Sequence, residues 1–315
     1  MPPADQDRQT RAAESAFSGA FPDNRHEGGT ALRGIQLIEL RILKIFADIC
    51  ERHGLTYWLD GGTLLGAVRH QGFIPWDDDV DIVMPRRDFE RFIEIAKKEL
   101  PADLELDTAM ESGNERGFNI PCRIRDRHSR IVDTHSADNI GQGLFVDIIP
   151  SDVYHRRPPL LSIEIAYRRF YSNATKVYDL FRNIRRRNRG LLGRMFGILP
   201  LVDAARLGVR SLTWFSRSFL SHNAFQRADN GSPGYGYDVR WVRIFQRQDI
   251  YPLRRIRFED AEFLAPNNTD GVLKVFYGAD YMTPPERSKR FSKHLRALVL
   301  DTRLGDTPAM VEDVE

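Results

Sequence analysis

The residues Asp60-Gly61-Gly62-Thr63-Leu64-Leu65-Gly66-Ala67-Val68-Arg69-His70, followed closely by Ile74-Pro75-Trp76-Asp77-Asp78-Asp79-Val80-Asp81-Ile82, set a glycine turn beside a run of carboxylates. Upstream, Leu55 to Leu59 is a β-rich run that Gly61-Gly62 breaks, and Thr63-Leu64-Leu65 has the character of a first helical turn. Downstream, Val80, Ile82 and Val83 predict a short strand. On a strand, side chains at i and i+2 share a face, so Asp79 and Asp81 are expected to project together while Val80 and Ile82 enter the core. Asp77, Asp78, Asp79 and Asp81 lie so close in sequence that they repel one another unless cations sit among them.

Two co-facing carboxylates suit a hard, oxygen-seeking cation such as Mg2+ (or Mn2+). Glycine lets a ligand approach the backbone, and a helix N-terminus offers free N–H groups, so Gly61, Gly62 and Thr63 are candidates to hold a phosphate. A solvated acidic turn is the plainer alternative for the Asp run. A further acid stands in Gly143-Leu144-Phe145-Val146-Asp147-Ile148-Ile149-Pro150, an apolar run in which a lone carboxylate is costly to bury unless paired or metal-bound. Asp147 is therefore a candidate third metal ligand, with an edge-strand position or an ion pair to Arg123 or Arg125 as alternatives. Arg69 and Arg123 are candidate phosphate contacts, because a planar guanidinium presents a fork to oxyanions; either could instead pair with the acid cluster.

These blocks resemble the LicD family, named for bacterial phosphocholine transferases and distantly related to the fukutin-type proteins. The similarity rests on Leu59 to Pro85, on Arg123-Ile124-Arg125-Asp126 and on Phe145 to Pro150, with Phe258-Glu259-Asp260 and Tyr277-Gly278-Ala279-Asp280-Tyr281-Met282 nearer the C-terminus. It implies an α+β fold, a nucleotidyltransferase-like mixed sheet flanked by helices, in which a strand bearing Asp-x-Asp supplies two metal ligands. Carried over, the turn falls on Gly61-Gly62-Thr63 and the ligands on Asp79 and Asp81, with Asp147 similar to the third acid. The turn departs from the Gly-Ser common in the wider superfamily. The resemblance further implies CDP-choline or a related CDP-alcohol as donor and CMP as leaving product. Its implied acceptor is a sugar hydroxyl on a cell-surface glycan or a lipid-linked glycan precursor. Two rivals fit the same residues: a nucleotidyltransferase that consumes a nucleoside triphosphate and releases pyrophosphate, and a non-catalytic scaffold that keeps the fold.

A chain of 315 residues with 42% hydrophobic content can bury a substantial core. A net charge of +2 says little about partners, and two cysteines, Cys50 and Cys122, exclude a disulfide framework. The N-terminus lacks the apolar centre of a signal peptide and no run reaches membrane-span length, which predicts a cytoplasmic protein. Residues 1–29 are expected to be a disordered leader, 30–153 the catalytic core, 154–230 a helical insertion, 231–300 a C-terminal part completing the site, and 301–315 a tail. From Ile35, the residues Ile38, Ile42, Ile45, Phe46 and Ile49 recur at helical spacing; Phe89, Phe92, Ile93 and Ala96 do so after Pro85. The insertion gathers Arg156, Arg157, Arg168, Arg169 and Lys176 with Trp214, Phe215 and Phe219. That pattern fits either a helical elaboration packed on the core or a surface resting on an anionic membrane, at the inner face of the plasma membrane. No nucleic-acid-binding module accompanies it, so no nucleic-acid partner is expected.

Overall fold

A computed structural model describes residues 19–108, 121–134, 140–187, 198–221, 231–292 and 295–311. The architecture is α+β. At its centre a mixed sheet runs in the order β1 (Trp58–Leu59), β2 (Asp81–Pro85), β6 (Phe145–Tyr154), β4 (Cys122–Asp126) and β3 (Leu104–Thr108), with β7 (Ser232–Tyr235) beside the second half of β6. Only β2 and β6 pair in parallel within this sheet; the other ladders are antiparallel. A separate ladder joins β5 (Arg130–Thr134) to β10 (Leu295–Val299) and β11 (Ala309–Met310).

Helix α1 (Ala31–His53) opens where the Thr30 side chain accepts from the Arg33 N–H, and closes at Gly54 in the left-handed conformation. Its periodic residues Ile35, Ile42, Ile45, Phe46 and Ile49 are fully buried. Each such side chain contributes about 1.5–3 kcal/mol relative to exposure, so this stripe fixes α1 against the sheet. Helix α2 (Gly61–His70) follows β1, and α3 (Arg86–Glu99) follows β2 with Phe89, Phe92 and Ala96 buried.

The boundaries near the glycine turn differ from those expected. Only Trp58 and Leu59 of the Leu55–Leu59 run pair with another strand. The helix begins at Gly61 rather than Thr63, because the Leu64 N–H already reaches the Asp60 carbonyl at 2.9 Å. Val80 and Ile82 are fully buried, as alternation requires, though the strand itself starts at Asp81.

Within residues 19–29, assigned from sequence to a disordered leader, Arg25 is anchored in the core. Arg25 is buried and paired with Asp126 at 2.7 Å, and it donates to the Leu300 carbonyl at 2.8 Å. A buried guanidinium needs such partners, and two distant segments supply them, with Asp23 of its own segment at 2.8 Å. Past residue 300, Asp301 takes Arg303 at 2.6 Å and His26 at 3.1 Å.

The insertion is a helical hairpin. Helix α4 (Leu160–Arg187) and α5 (Ile198–Phe215), which continues as a π-helical turn over Ser216–Ser221, pack through Tyr167–Ser216, Tyr171–Thr213 and Tyr178–Val209. Arg168, grouped from sequence with the surface cations, is instead fully buried and donates to the carbonyls of Tyr237, Val239 and Trp241. It fastens the hairpin to the chain returning from β7. The remaining elements are α6 (Arg247–Ile250), the hairpin of β8 (Arg254–Phe258) and β9 (Ala261–Ala265), and α7 (Thr269–Tyr277), capped by the Asn268 side chain.

Candidate active site

The parallel ladder puts Asp81 of β2 in register with Asp147 of β6, and the antiparallel ladder puts Arg123 of β4 in register with Asp147. Registered neighbours share a face of the sheet, so Asp81, Asp147 and Arg123 form one row. Asp79, just ahead of β2, is partly exposed. The Asp81 N–H donates to the Thr63 hydroxyl at 2.9 Å, while the Asp60 N–H donates to the Asp81 carbonyl at 3.1 Å. Thr63 thus anchors the strand that carries the acid.

The glycines make room for carboxylates. A Cβ on Gly61 would stand 3.2 Å from Asp81 Oδ2, and one on Gly62 would stand 2.8 Å from Asp77 Oδ2. Gly61 also has φ +47°, a conformation that disfavours larger residues. The start of α2 therefore faces the acid cluster directly, where its N–H groups and dipole favour negative charge.

Burial, with repulsion among the acids, raises the proton affinity of Asp81, Asp147 and Glu39. Desolvation first, then Asp79, Asp147, Asp60 and Asp77, lift the Asp81 carboxyl well above its ordinary value. Burial likewise raises Asp147 against the opposing pull of Arg123, whose Nε lies 2.5 Å from Oδ1. Glu39 of α1 is buried and pushed up by burial and by Asp79, Asp78, Asp77 and Asp147. Burial lifts Asp60 to about 6 although the Tyr235 hydroxyl donates to its carboxylate. The Tyr277 hydroxyl lies 4.0 Å from where a Gly62 Cβ would be, and burial with Asp77, Asp60, Asp81 and Asp79 raises its pKa.

Asp78 turns elsewhere: its Oδ2 accepts from the Ser292 hydroxyl at 2.5 Å and from the Leu295 N–H at 2.6 Å. The sequence-predicted residues Gly61, Gly62, Thr63, Asp79, Asp81, Asp147 and Arg123 converge. Arg69 sits on the rim, bonded to His70 Nε2 at 2.9 Å and to the Tyr281 carbonyl at 3.2 Å. The Arg123–Asp147 ion pair realises the alternative left open for both residues. Sequence reasoning missed Glu39 and did not single out Asp60. Glu39 stands four residues after Ile35 and three before Ile42, an acid on the apolar stripe, and that misplacement was its signal.

Hard carboxylate oxygens set close together, one of them on the buried and proton-retaining Asp81, are the donor chemistry a divalent cation relieves, so Asp79 and Asp81 fit Mg2+ or Mn2+. Among the described residues, no three His, Cys, Asp or Glu side chains are already gathered into a metal cage. Asp147 would join only by loosening its bond to Arg123.

Residues 54–155 match the family described as LicD/FKTN/FKRP, nucleotidyltransferase domain. The chain is 47% identical over 130 residues to the lipopolysaccharide cholinephosphotransferase LicD of Haemophilus influenzae, covering 41% of this chain and 48% of that protein. A stretch of 34 residues is 59% identical to the ribitol 5-phosphate transferase FKRP of human and mouse, covering 11% of this chain and 7% of those proteins. The chain thus spans about half the length of the first of these curated relatives and far less of the others.

Proposed function

We propose, from the match of residues 54–155 to the LicD/FKTN/FKRP nucleotidyltransferase domain, that the chain is a metal-dependent transferase of phospho-alcohol head groups. It moves the head group, phosphocholine first among the candidates, from a CDP-alcohol to a sugar hydroxyl of a cell-surface glycan or its lipid-linked precursor, and CMP leaves. The observation that carries this reading is the registered pair Asp81–Asp147, with Asp81 against the start of α2 and Asp79 close enough to raise its proton affinity. The relatives' names, a cholinephosphotransferase and a ribitol 5-phosphate transferase, support a phospho-alcohol as the transferred group.

The chain's own residues supply positioning and charge. The first N–H groups of α2, approachable because Gly61 and Gly62 lack Cβ atoms, receive phosphate oxygens. The acceptor oxygen attacks the phosphorus that bears the head group, the bond from that phosphorus to the CMP oxygen breaks, and the acceptor proton passes to Asp79 or Asp147. Asp79 and Asp81 would hold a divalent cation, whose chemistry there would be to neutralise charge developing on the leaving nucleotide. Product analysis tests the reading: with CDP-choline and acceptor glycan the chain should release CMP, and Asp81→Asn should lower the rate at least about a hundredfold without unfolding. Pyrophosphate released from CTP, with no CMP from any CDP-alcohol, would instead establish the nucleotidyltransferase.

A lipid-linked acceptor calls for a membrane-facing surface, and α4 offers one. Its outer face exposes Ile163, Phe170 (57%) and Val177 together with Arg169 and Lys176, while Trp214 of α5 is 64% exposed. The acids of α4 turn away from that face: Glu164 takes His155 and the Tyr237 hydroxyl, and Asp179 takes Arg240. No helix among the described residues is long and apolar enough to cross a membrane, so contact would be peripheral. Co-sedimentation with phosphatidylglycerol-containing vesicles should exceed that with neutral vesicles and fall in Phe170→Glu; equal binding to both would refute the contact.

A further inference from the structure

Trp76 stands immediately before the acid run, and two guanidiniums lie over it. Arg290 Cζ is 5.2 Å and Arg69 Cζ is 5.9 Å from the ring centroid. They arrive from different parts of the chain. Arg69 sits two turns along α2 from Gly62, on the same helix face, since residues seven apart nearly superpose around the axis. Arg290 is brought by the staple at Asp78, whose bonds to Ser292 and the Leu295 N–H pin the chain just beyond it. The same acid run therefore supplies the indole through Trp76 and positions the second cation through Asp78.

Both guanidiniums spend their resolved bonds on neutral groups. Arg69 donates to the His70 ring and to the Tyr281 carbonyl, and Arg290 Nε donates to the Pro285 carbonyl at 2.8 Å. Burial and the Arg69 charge hold His70 below its usual pKa, so at pH 7 it accepts as a neutral ring. Arg69 itself is pushed down by burial and further by Arg290, with Tyr277 and Asp77 opposing. Two cations gathered over one aromatic ring at the rim of an acidic pocket raise each other's energy; an anion with two charged groups lowers it. The neighbouring Gly62, Asp77 and Tyr277 locate this pair at the mouth of the catalytic cluster.

We propose that Arg69, Trp76 and Arg290 form a diphosphate-binding subsite, which clamps the two phosphates of a nucleoside diphosphate donor while the carboxylates face the reacting phosphorus. The inference rests on the reading of the donor as a CDP-alcohol and adds Trp76 and Arg290 to its binding surface. The indole serves as a platform that orients both forks.

Calorimetric titration of the full chain with CDP, CMP and inorganic pyrophosphate, in Mg2+, tests it. Wild type should prefer CDP to CMP, and Arg290→Gln should weaken CDP and pyrophosphate about ten- to hundredfold, the range for losing a hydrogen-bonded charge, so that the preference collapses. Arg69→Gln should do the same, with an unchanged melting temperature showing that the partly exposed Arg290 variant folds. Pyrophosphate binding that Arg290→Gln abolishes, in a protein indifferent to CDP, would sustain the subsite and strike the CDP-alcohol reading. CDP binding within threefold of wild type in Arg290→Gln would overturn the subsite and leave that reading standing. A wild type that binds neither CDP nor pyrophosphate would overturn both.

Discussion

Replacing Arg86 with leucine should be among the most damaging single changes in the chain, although Arg86 touches nothing in the candidate site. Arg86 lies at the start of α3 and bonds Asp152 of β6 through Nε at 3.0 Å and Nη2 at 2.9 Å, and Asp238 through Nη1 at 3.2 Å. The guanidinium is 7% exposed and each carboxylate 1%. Gly236 is required beside it, because a Cβ there would collide with the Arg86 Nη2. Burial works to raise Asp238, yet Arg86 outweighs it and holds that carboxyl below its ordinary value. Removing one partner of a buried ion pair costs about 3–5 kcal/mol, because the remaining charge keeps its desolvation penalty. Here two carboxylates are stranded. Asp152 retains Ser221 and the Tyr237 N–H, and Asp238 retains Arg217 at 3.4 Å, so the loss should stay near the top of that range, at about 5 kcal/mol. With a urea slope of about 3 kcal/mol per molar, the unfolding midpoint should fall by roughly 1.7 M. The triple variant Arg86→Leu, Asp152→Leu, Asp238→Leu should recover much of that loss, since it leaves no buried charge stranded and only the partly exposed Arg217 loses a partner. A midpoint lowered by less than about 0.3 M in Arg86→Leu would refute the view that this network holds the hairpin and α3 to the sheet.

Three other outcomes follow from the packing of single residues. Gly62→Ala should leave the urea midpoint nearly unchanged but weaken Mg2+-dependent CDP-choline binding at least about tenfold, because its Cβ would displace the Asp77 carboxylate 2.8 Å away; calorimetry reads both Kd and stoichiometry. Gly143→Ala should cost about 3 kcal/mol or more in chemical denaturation, since its Cβ would stand 1.7 Å from the Asp126 carbonyl oxygen, a backbone atom that cannot swing aside. The Arg303 hydrogen bond, with His26, holds Asp301 well below the carboxylate range. A depressed folded pKa contributes stability above the unfolded value near 3.8 that is lost as pH falls through the folded one, so Asp301→Asn should be less stable than wild type at pH 7 and converge with it on acidification below about pH 4.

The glycine turn and the strand that begins at Asp81 were legible because their information is local, although Asp79 falls just ahead of the strand expected to carry it. Turn chemistry placed Gly61 and Gly62, and the two-residue period set Val80 and Ile82 inside with Asp81 on the other face. Asp147 was legible as an anomaly, one acid inside an apolar strand, but its partner was not, since strand order decides whether Arg123 or Arg125 lies opposite; Arg125 turns instead to Asp107 at 2.7 Å. The splitting of the Asp77–Asp79 run was out of reach of local rules. Asp78 finds Ser292 across 214 positions, and Arg25 finds Asp126 across 101, distances at which periodicity carries no information. The insertion was legible as helical and basic, but which of its cations point inward depends on the carbonyls of Tyr237 and Val239, which fold back onto Arg168.

The central claim, that paired carboxylates at the start of α2 hold a cation against a CDP-alcohol, is tested most directly by thermal shift. Wild type and Asp81→Asn would be heated with CDP-choline, CDP-ethanolamine, CDP-ribitol, CDP-glycerol and CTP, each with and without Mg2+. A ligand at about a hundred times its Kd stabilises the fold by roughly 2.7 kcal/mol, enough for a shift of several degrees. The account predicts such a shift with one CDP-alcohol, only when Mg2+ is present, and its loss in Asp81→Asn. A shift with CTP alone, or a CDP-alcohol shift that Asp81→Asn retains, would contradict it.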